Sequence, residues 1–220
     1  MKSIAIIGSS SNLSIKIKQM LFDFEIKLYG RKEEKSLDVL NLSTSNIIDE
    51  LNISEHDIYI FNLGKIIPEK ISTQTEEEII ESLKVNALFT IKASELILER
   101  NQSARIIIIG SESGRKGSFD TTYFLSKSML RAYVKQRYLF STEQQLVLIS
   151  PSTISDSRMT MDREDKARLS EYESEHPKKR FIFNDEISEV ICNLIRSKST
   201  YITNTEIEMN GGKFARMKYQ

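Results

Sequence analysis

Short apolar runs that stop at a glycine or just before a proline punctuate this chain, and amphipathic stretches separate them. Ile4 to Ile7 closes at Gly8, Ile58 to Leu63 at Gly64, Arg105 to Ile109 at Gly110, and Gln145 to Ile149 just before Pro151. Runs so brief and so largely apolar suit strands covered on both faces. Between them the spacing predicts helices from Ile15 to Phe24, Ile47 to Leu51, about Thr75 to Arg100, Tyr123 toward Phe140, and near Asp185 to Ile195. Glu25 to Tyr29 and Thr205 to Met209 read as further strands, with a weaker one near Leu37 to Leu40. Alternating strands and helices call for right-handed crossovers, hence an α/β fold whose parallel sheet has helices on both faces. The 220 residues suit one domain, residues 1–220, with no repeat or convincing linker.

Composition removes several functions. Lys+Arg and Asp+Glu are equal at 31 each, so net charge offers no attraction to nucleic acid or an anionic membrane. No apolar run is long enough to span a bilayer, and the opening run is too short for a signal peptide, which implies a cytoplasmic protein. One cysteine, Cys192, excludes an intrachain disulfide and falls in the apolar pattern of a helix, so a buried thiol is expected. His56 and His176 are scattered, and no metal-ligand cluster is visible.

Ligands of parallel α/β sheets bind at the carboxyl ends of the strands. Gly8, the turn Asn62-Leu63-Gly64, Ser111 and Pro151 all follow predicted strands, so they should meet on one edge. Beyond Ser111 comes Tyr123, with Lys127 four positions later. On a helix that spacing places both side chains on one face. A cation beside a phenol favours the phenolate, and a phenol tuned toward neutrality can exchange a proton with a carbonyl or alcohol oxygen. The Ser111 hydroxyl can hold that oxygen.

These motifs, in this order, resemble those of the short-chain dehydrogenase/reductase superfamily in its single-domain, Rossmann-type doubly wound form. The resemblance runs from Ile4 to about Gly212. Asn62-Leu63-Gly64 is similar to the family's Asn-Ala-Gly turn, and Val85-Asn86 to the Val-Asn of its central helix. Ser111 with Gly114 matches its catalytic serine, and Tyr123 with Lys127 its Tyr-x-x-x-Lys. Pro151-Ser152 stands where the family has Pro-Gly, and Met209-Asn210-Gly211-Gly212 is similar to its terminal Val-Asp-Gly-Gly.

The first motif departs from the family's Thr-Gly-x-x-x-Gly-x-Gly. Here it reads Ile7-Gly8-Ser9-Ser10-Ser11-Asn12-Leu13-Ser14, with one glycine left. Asn12 is expected to replace a glycine at a positive-φ turn, because asparagine tolerates that conformation. The interval from Ser111 to Tyr123 is one residue short of the family's, which leaves Ser111 or Ser113 to face inward; the spacing to Gly114 favours Ser111.

The resemblance implies an NAD(P)-dependent oxidoreductase that moves a hydride between nicotinamide and a small carbonyl or alcohol. Tyr123 would be the acid/base, Lys127 its partner and a ribose contact, Ser111 the oxygen holder, and Asn86 the anchor of a water relay. Cofactor contacts would come from Gly8, Ser10, Ser11, Asn12, Leu13, Arg31, Asp38, Asn62, Gly64, Tyr123, Lys127, Pro151, Ser152 and Ile154. Strand two ends Tyr29-Gly30-Arg31, without the acid that bonds the ribose of NAD. An arginine there pairs with a 2′-phosphate, so NADP(H) is expected over NAD(H). Family members pair through two long helices, so a homodimer or homotetramer is expected, through Leu88, Ile91 and Leu96 on one helix and Leu130, Tyr133 and Val134 on the other. The polar segment from about Thr153 to Lys179 reads as an irregular substrate lid, with Arg158, Met159 and Met161 toward the ligand. The alternative is a catalytically inactive nucleotide-binding or regulatory protein on the same fold, favoured by the eroded glycine loop.

Overall fold

The computed structural model describes residues 2–31, 33, 35–41, 46–51 and 55–215. Seven strands pair in the order β3-β2-β1-β4-β5-β6-β7: β1 Ser3–Ile7, β2 Glu25–Gly30, β3 Lys35–Ser36, β4 Ile58–Phe61, β5 Arg105–Ile109, β6 Gln145–Pro151 and β7 Thr205–Met209. Every pairing is parallel. The chain therefore reverses its winding between β1 and β4, and the carboxyl ends on either side of that break form a crevice.

Side chains leave a strand on alternate faces, and β1 shows the result. Ala5 and Ile7 enter one core with α4 (Phe89–Arg100) and α6 (Thr121–Gln136). Ile4 and Ile6 enter the other with α1 (Asn12–Met20) and α9 (Asn184–Arg196). Each fully buried Ile or Leu contributes roughly 1.5–3 kcal/mol, so the largely apolar, fully buried β1, β4 and β5 hold the middle of the sheet. Cys192 lies in the second core, where burial pushes its thiol up to about 11, as expected of an inert thiol.

Three elements depart from the sequence expectation. The third strand is Lys35–Ser36, paired with Tyr29 and Gly30, while Leu37 and Val39 beyond it turn into the core. The long helix is not continuous. Thr75 opens α3 (Glu76–Leu83) with a capping box closed by Glu78, a π-helical turn follows at Lys84–Leu88, and α4 completes it. The expected irregular segment contains α7 (Arg158–Met161) and α8 (Lys166–Glu175). Polar sequence hid α8, which buries none of its side chains. The remaining helices are short, α2 Ile47–Glu50 and α5 Ser113–Lys116. Among the described residues no helix is long and apolar enough to cross a membrane.

Candidate active site

Asp120 starts α6 as its N-cap, accepting the Tyr123 N–H at 3.0 Å, so the first turn carries Tyr123 and the second Lys127. Lys127 is only 2% exposed. Its ammonium donates to the Leu63 carbonyl at 3.0 Å and the Ile109 carbonyl at 3.1 Å, tying α6 to the ends of β4 and β5. Burial pulls its pKa down to about 8. The Tyr123 phenol moves up instead of down: burial raises it, the Asp120 charge adds to the rise, and hydrogen bonding from Ser111 pulls the other way. The expected lowering by Lys127 is thus not what this geometry gives. The ammonium points at two carbonyls, 5.6 Å from the Tyr123 ring centroid, and desolvation dominates the phenol.

Ser111 follows β5 directly, and its Oγ accepts the Ser113 N–H at 3.1 Å. Ser113 begins α5, so of the two serines Ser111 is the one that meets the phenol. Gly114 secures that placement, because a Cβ there would stand 2.8 Å from the Lys127 main chain. Asn86 sits in the π-helical turn, 1% exposed. Its Oδ1 accepts the Lys65 N–H at 2.7 Å and its Nδ2 donates to the Lys65 carbonyl at 2.8 Å and to Ser82 Oγ at 3.0 Å. Asn86 and Lys127 thus hold neighbouring peptides of one loop, the loop after β4.

The eroded glycine loop remains an ordered strand–turn–helix junction. Gly8 has φ +89°, and a Cβ there would lie 2.2 Å from the Asn62 carbonyl, so glycine is required. Ser11 caps α1 through the Ser14 N–H at 3.1 Å. The buried Ser14 hydroxyl donates to the Gly8 carbonyl at 2.9 Å, and Asn62 Nδ2 donates to both Ser11 Oγ, at 2.6 Å, and Ser14 Oγ, at 2.9 Å. Hydroxyls therefore do the tightening that glycines would do by close approach. Asn12 corrects an expectation. It is the first residue of α1, and the described non-glycine residues with positive φ are Lys179 and Asn204. Its amide donates to the Asp156 carbonyl at 2.6 Å, on the stretch before α7. The Leu13 side chain belongs to the core, while Ser10 is exposed.

The outer residues are less closely gathered. Arg31 is exposed just past β2. The neighbourhood is not free of acid, as the sequence suggested, because Glu33 accepts from Ser9 Oγ at 2.9 Å. Asp38 is engaged in its own turn, accepting from the Leu40 N–H at 3.1 Å and Asn41 Nδ2 at 2.8 Å. Pro151 ends β6, and Ser152 is buried with its N–H on the Met209 carbonyl at 3.0 Å. Ile154 bridges to Ile182 at the base of the segment that carries α7 and α8. Gly64 is exposed beneath α7, where an added Cβ would meet the Met159 methyl at 3.1 Å. The structure thus gathers Gly8, Ser11, Asn62, Leu63, Asn86, Ser111, Tyr123 and Lys127 on one sheet edge. Sequence reasoning missed Glu33 and Asp120, and it named Ser14 without foreseeing its hydrogen bonds. For Asp120 a signal was there, since an aspartate ahead of Thr121 and Thr122 opening a helical run is a typical N-cap.

A phosphate-bearing dinucleotide fits this edge. The start of α1 offers unpaired main-chain N–H groups and the positive end of a helix. The Ser9 to Ser11 turn stands over it, and Gly8 keeps the backbone close. Among the described residues no group of three or more His, Cys, Asp or Glu side chains is placed to hold a metal ion.

Comparison with known proteins agrees with this geometry. Residues 44–213 match a family model described as Enoyl-(Acyl carrier protein) reductase, which begins after the nucleotide loop. A 3-oxoacyl-[acyl-carrier-protein] reductase from Buchnera aphidicola is 27% identical over 191 residues, covering 80% of this chain and 76% of that protein. A short-chain dehydrogenase family protein from Francisella tularensis superposes with a TM-score of 0.81 at 21% identity, covering 98% of this chain and 100% of that one. The structure of ElxO with NADP bound gives 0.81 at 16% identity, covering 96% and 98%. This chain belongs to the short-chain dehydrogenase/reductase superfamily and is an NAD(P)-dependent oxidoreductase of that family.

Proposed function

We propose that the chain catalyses reversible hydride transfer between a nicotinamide cofactor, with NADP(H) preferred, and the carbonyl or alcohol carbon of a small molecule. The observation that carries this reading is the meeting of Ser111, Tyr123 and buried Lys127 beside the N-terminus of α1. Gly8, Ser10, Ser11, the start of α1, Asn62 and Gly64 would hold the cofactor from one side, and Pro151, Ser152 and Ile154 from the other. The bound nicotinamide supplies or accepts the hydride.

The chain's own residues manage the oxygen and its proton. Ser111 holds the substrate oxygen near the phenol. Tyr123, kept protonated by burial, gives its proton to that oxygen in reduction and regains it in oxidation. Lys127 fixes the Leu63 and Ile109 carbonyls and, in its cationic form, stabilises the phenolate as it develops. Asn86 keeps the loop after β4 in register with both. Segment 153–179 would close over the substrate, with Met159 already over Gly64.

The NADP preference rests on exposed Arg31, with Glu33 engaged by Ser9. The test is calorimetric titration with NADPH and NADH, then turnover of a carbonyl panel that includes 3-oxoacyl thioesters, after the name of the Buchnera relative. Absence of cofactor binding would favour the regulatory reading. Binding without turnover on any carbonyl would leave a nucleotide-binding protein.

A further inference from the structure

Asp120 makes more bonds than a helix cap needs. One carboxylate oxygen accepts the Tyr123 N–H at 3.0 Å, the ordinary cap, and also Gln74 Nε2 at 3.1 Å. The other accepts the Ile67 N–H at 2.7 Å. Gln74 closes a ring, accepting from the Thr122 hydroxyl at 2.6 Å while its amide also reaches the Glu69 carbonyl at 3.1 Å. Asp120 is 1% exposed. Most N-caps sit at the surface, where water serves the spare lone pairs. A buried carboxylate persists only when the protein supplies those partners, and here they come from the loop after β4 and from Gln74 before α3.

That loop is already held at its start, at Leu63 by Lys127 and at Lys65 by Asn86. Asp120 takes the next hold, at Ile67. The loop and the first turn of α6 are thereby one unit, with Tyr123 at its inner corner.

We propose that Asp120 is a positioning residue for proton transfer at Tyr123, locking the first turn of α6 to the β4–α3 loop with its carboxylate held on the Tyr123 main chain. This rests on the reading of Tyr123 as the proton donor. The charged groups that bear on the phenol are Asp120 and Lys127, the latter 5.6 Å from the ring centroid, with the neutral Ser111 hydroxyl from the end of β5. Asp120 disfavours the phenolate, so the proton stays on Tyr123 until a substrate oxygen takes it. In reduction the Tyr123 O–H bond breaks and its proton goes to the substrate oxygen, while the nicotinamide hydride forms the new C–H bond. The phenolate left on Tyr123 is then reprotonated from solvent, which restores the acid for the next reduction.

The test pairs two readouts on the full chain: the pH profile of carbonyl reduction and the absorbance titration of Tyr123, isolated by subtracting Tyr123→Phe. Asp120→Asn and Asp120→Ser remove the charge, and serine keeps a good cap. Both should move the alkaline limb and the phenol titration to lower pH, by on the order of one unit. Asp120→Glu should return both toward the native position. Gln74→Met, which opens the ring and leaves the charge, should raise KM several-fold without moving the limb. A native pH profile and phenol titration in folded Asp120→Asn or Asp120→Ser would overturn the proposal. Loss of cooperative melting in both would also overturn it, by reducing Asp120 to a folding residue. Turnover in Tyr123→Phe would show a different failure, that of the proton-donor reading itself.

Discussion

The Lys127 ammonium donates to the main-chain carbonyl of Leu63 at 3.0 Å, so a side chain of α6 closes the turn that ends β4. The same lysine is buried with its pKa pulled down to about 8, below its unfolded value. Between those two values the unfolded chain binds more protons than the folded one. Stability should therefore rise with pH through that window, and Lys127 should cost stability below it. The limit set by the shift is about 3 kcal/mol. Denaturant melts of the wild type at pH 7 and pH 10 should show this gain relative to Lys127→Met. Equal pH dependence in both proteins would show that the lysine is not desolvated in solution.

Tyr123→Phe should abolish turnover and leave cofactor affinity within about twofold, because one oxygen is removed from a ring otherwise in place. Lys127→Ala should damage both turnover and binding. Single-turnover kinetics with a confirmed substrate, beside calorimetry, separates the two effects. Substantial Tyr123→Phe activity contradicts the proposed acid.

Arg31→Ala should weaken NADPH binding by on the order of 1.5–3 kcal/mol while sparing NADH, the loss of one charged hydrogen-bond partner. Glu33→Gln should favour NADPH further by removing a like charge near the 2′-phosphate. Titrations at fixed ionic strength decide this, and tighter binding of NADH by the wild type would reverse the assignment.

The strands were readable because they are unbroken apolar runs, from Ile4 to Ile7 or Ile106 to Ile109, that nothing but a covered strand explains. Lys35–Ser36 was misplaced by two residues because the apolar signal lies in Leu37 and Val39, which pack without pairing. No periodicity announced α8, since a helix that buries nothing has no stripe. At the site, residue types and order pointed to Ser111, Tyr123 and Lys127. Their protonation was not legible, because it depends on burial and on Asp120, neither of which is a motif. The hydroxyl bonds of Ser14 were equally hidden, because the motif shows only that a glycine is missing there.

Assembly is expected through the outer faces of the Lys84–Arg100 helical run and α6, though on α6 not through the residues the sequence suggested. Leu130, Tyr133 and Val134 are buried in the protomer's own core, whereas Leu88 is 40% and Leu125 44% exposed. Light scattering at micromolar concentration should give a dimer or tetramer. Leu125→Glu should shift it toward monomer with the melting temperature of the protomer little changed. A monomeric wild type would end this expectation.

Segment 153–179 should exchange amide hydrogens faster than the sheet and become protected when NADPH and substrate are added together. Its α8 has no buried side chain, so little offsets the entropy of ordering it. Its ends are fastened, by the Ile154–Ile182 bridge and by buried His176 against Gly211. Protection should therefore appear in the middle of the segment, and strong protection in the free protein would mean a fixed wall.

The π-helical turn at Lys84–Leu88 gives the helical run one residue more than an α-helix would use to cover the same length. Each α-helical residue advances the phase by about 100°. Deleting a single residue from this turn should let α3 and α4 merge into one regular helix with their faces still in phase, so that only the residues of the turn itself take new directions. Asn86 would then face away from Lys65, although no residue at the crevice had changed. The length of this turn is thus as much a determinant of the enzyme as any side chain in it, and a scan of single deletions along residues 76–100 should find its loss of function concentrated there.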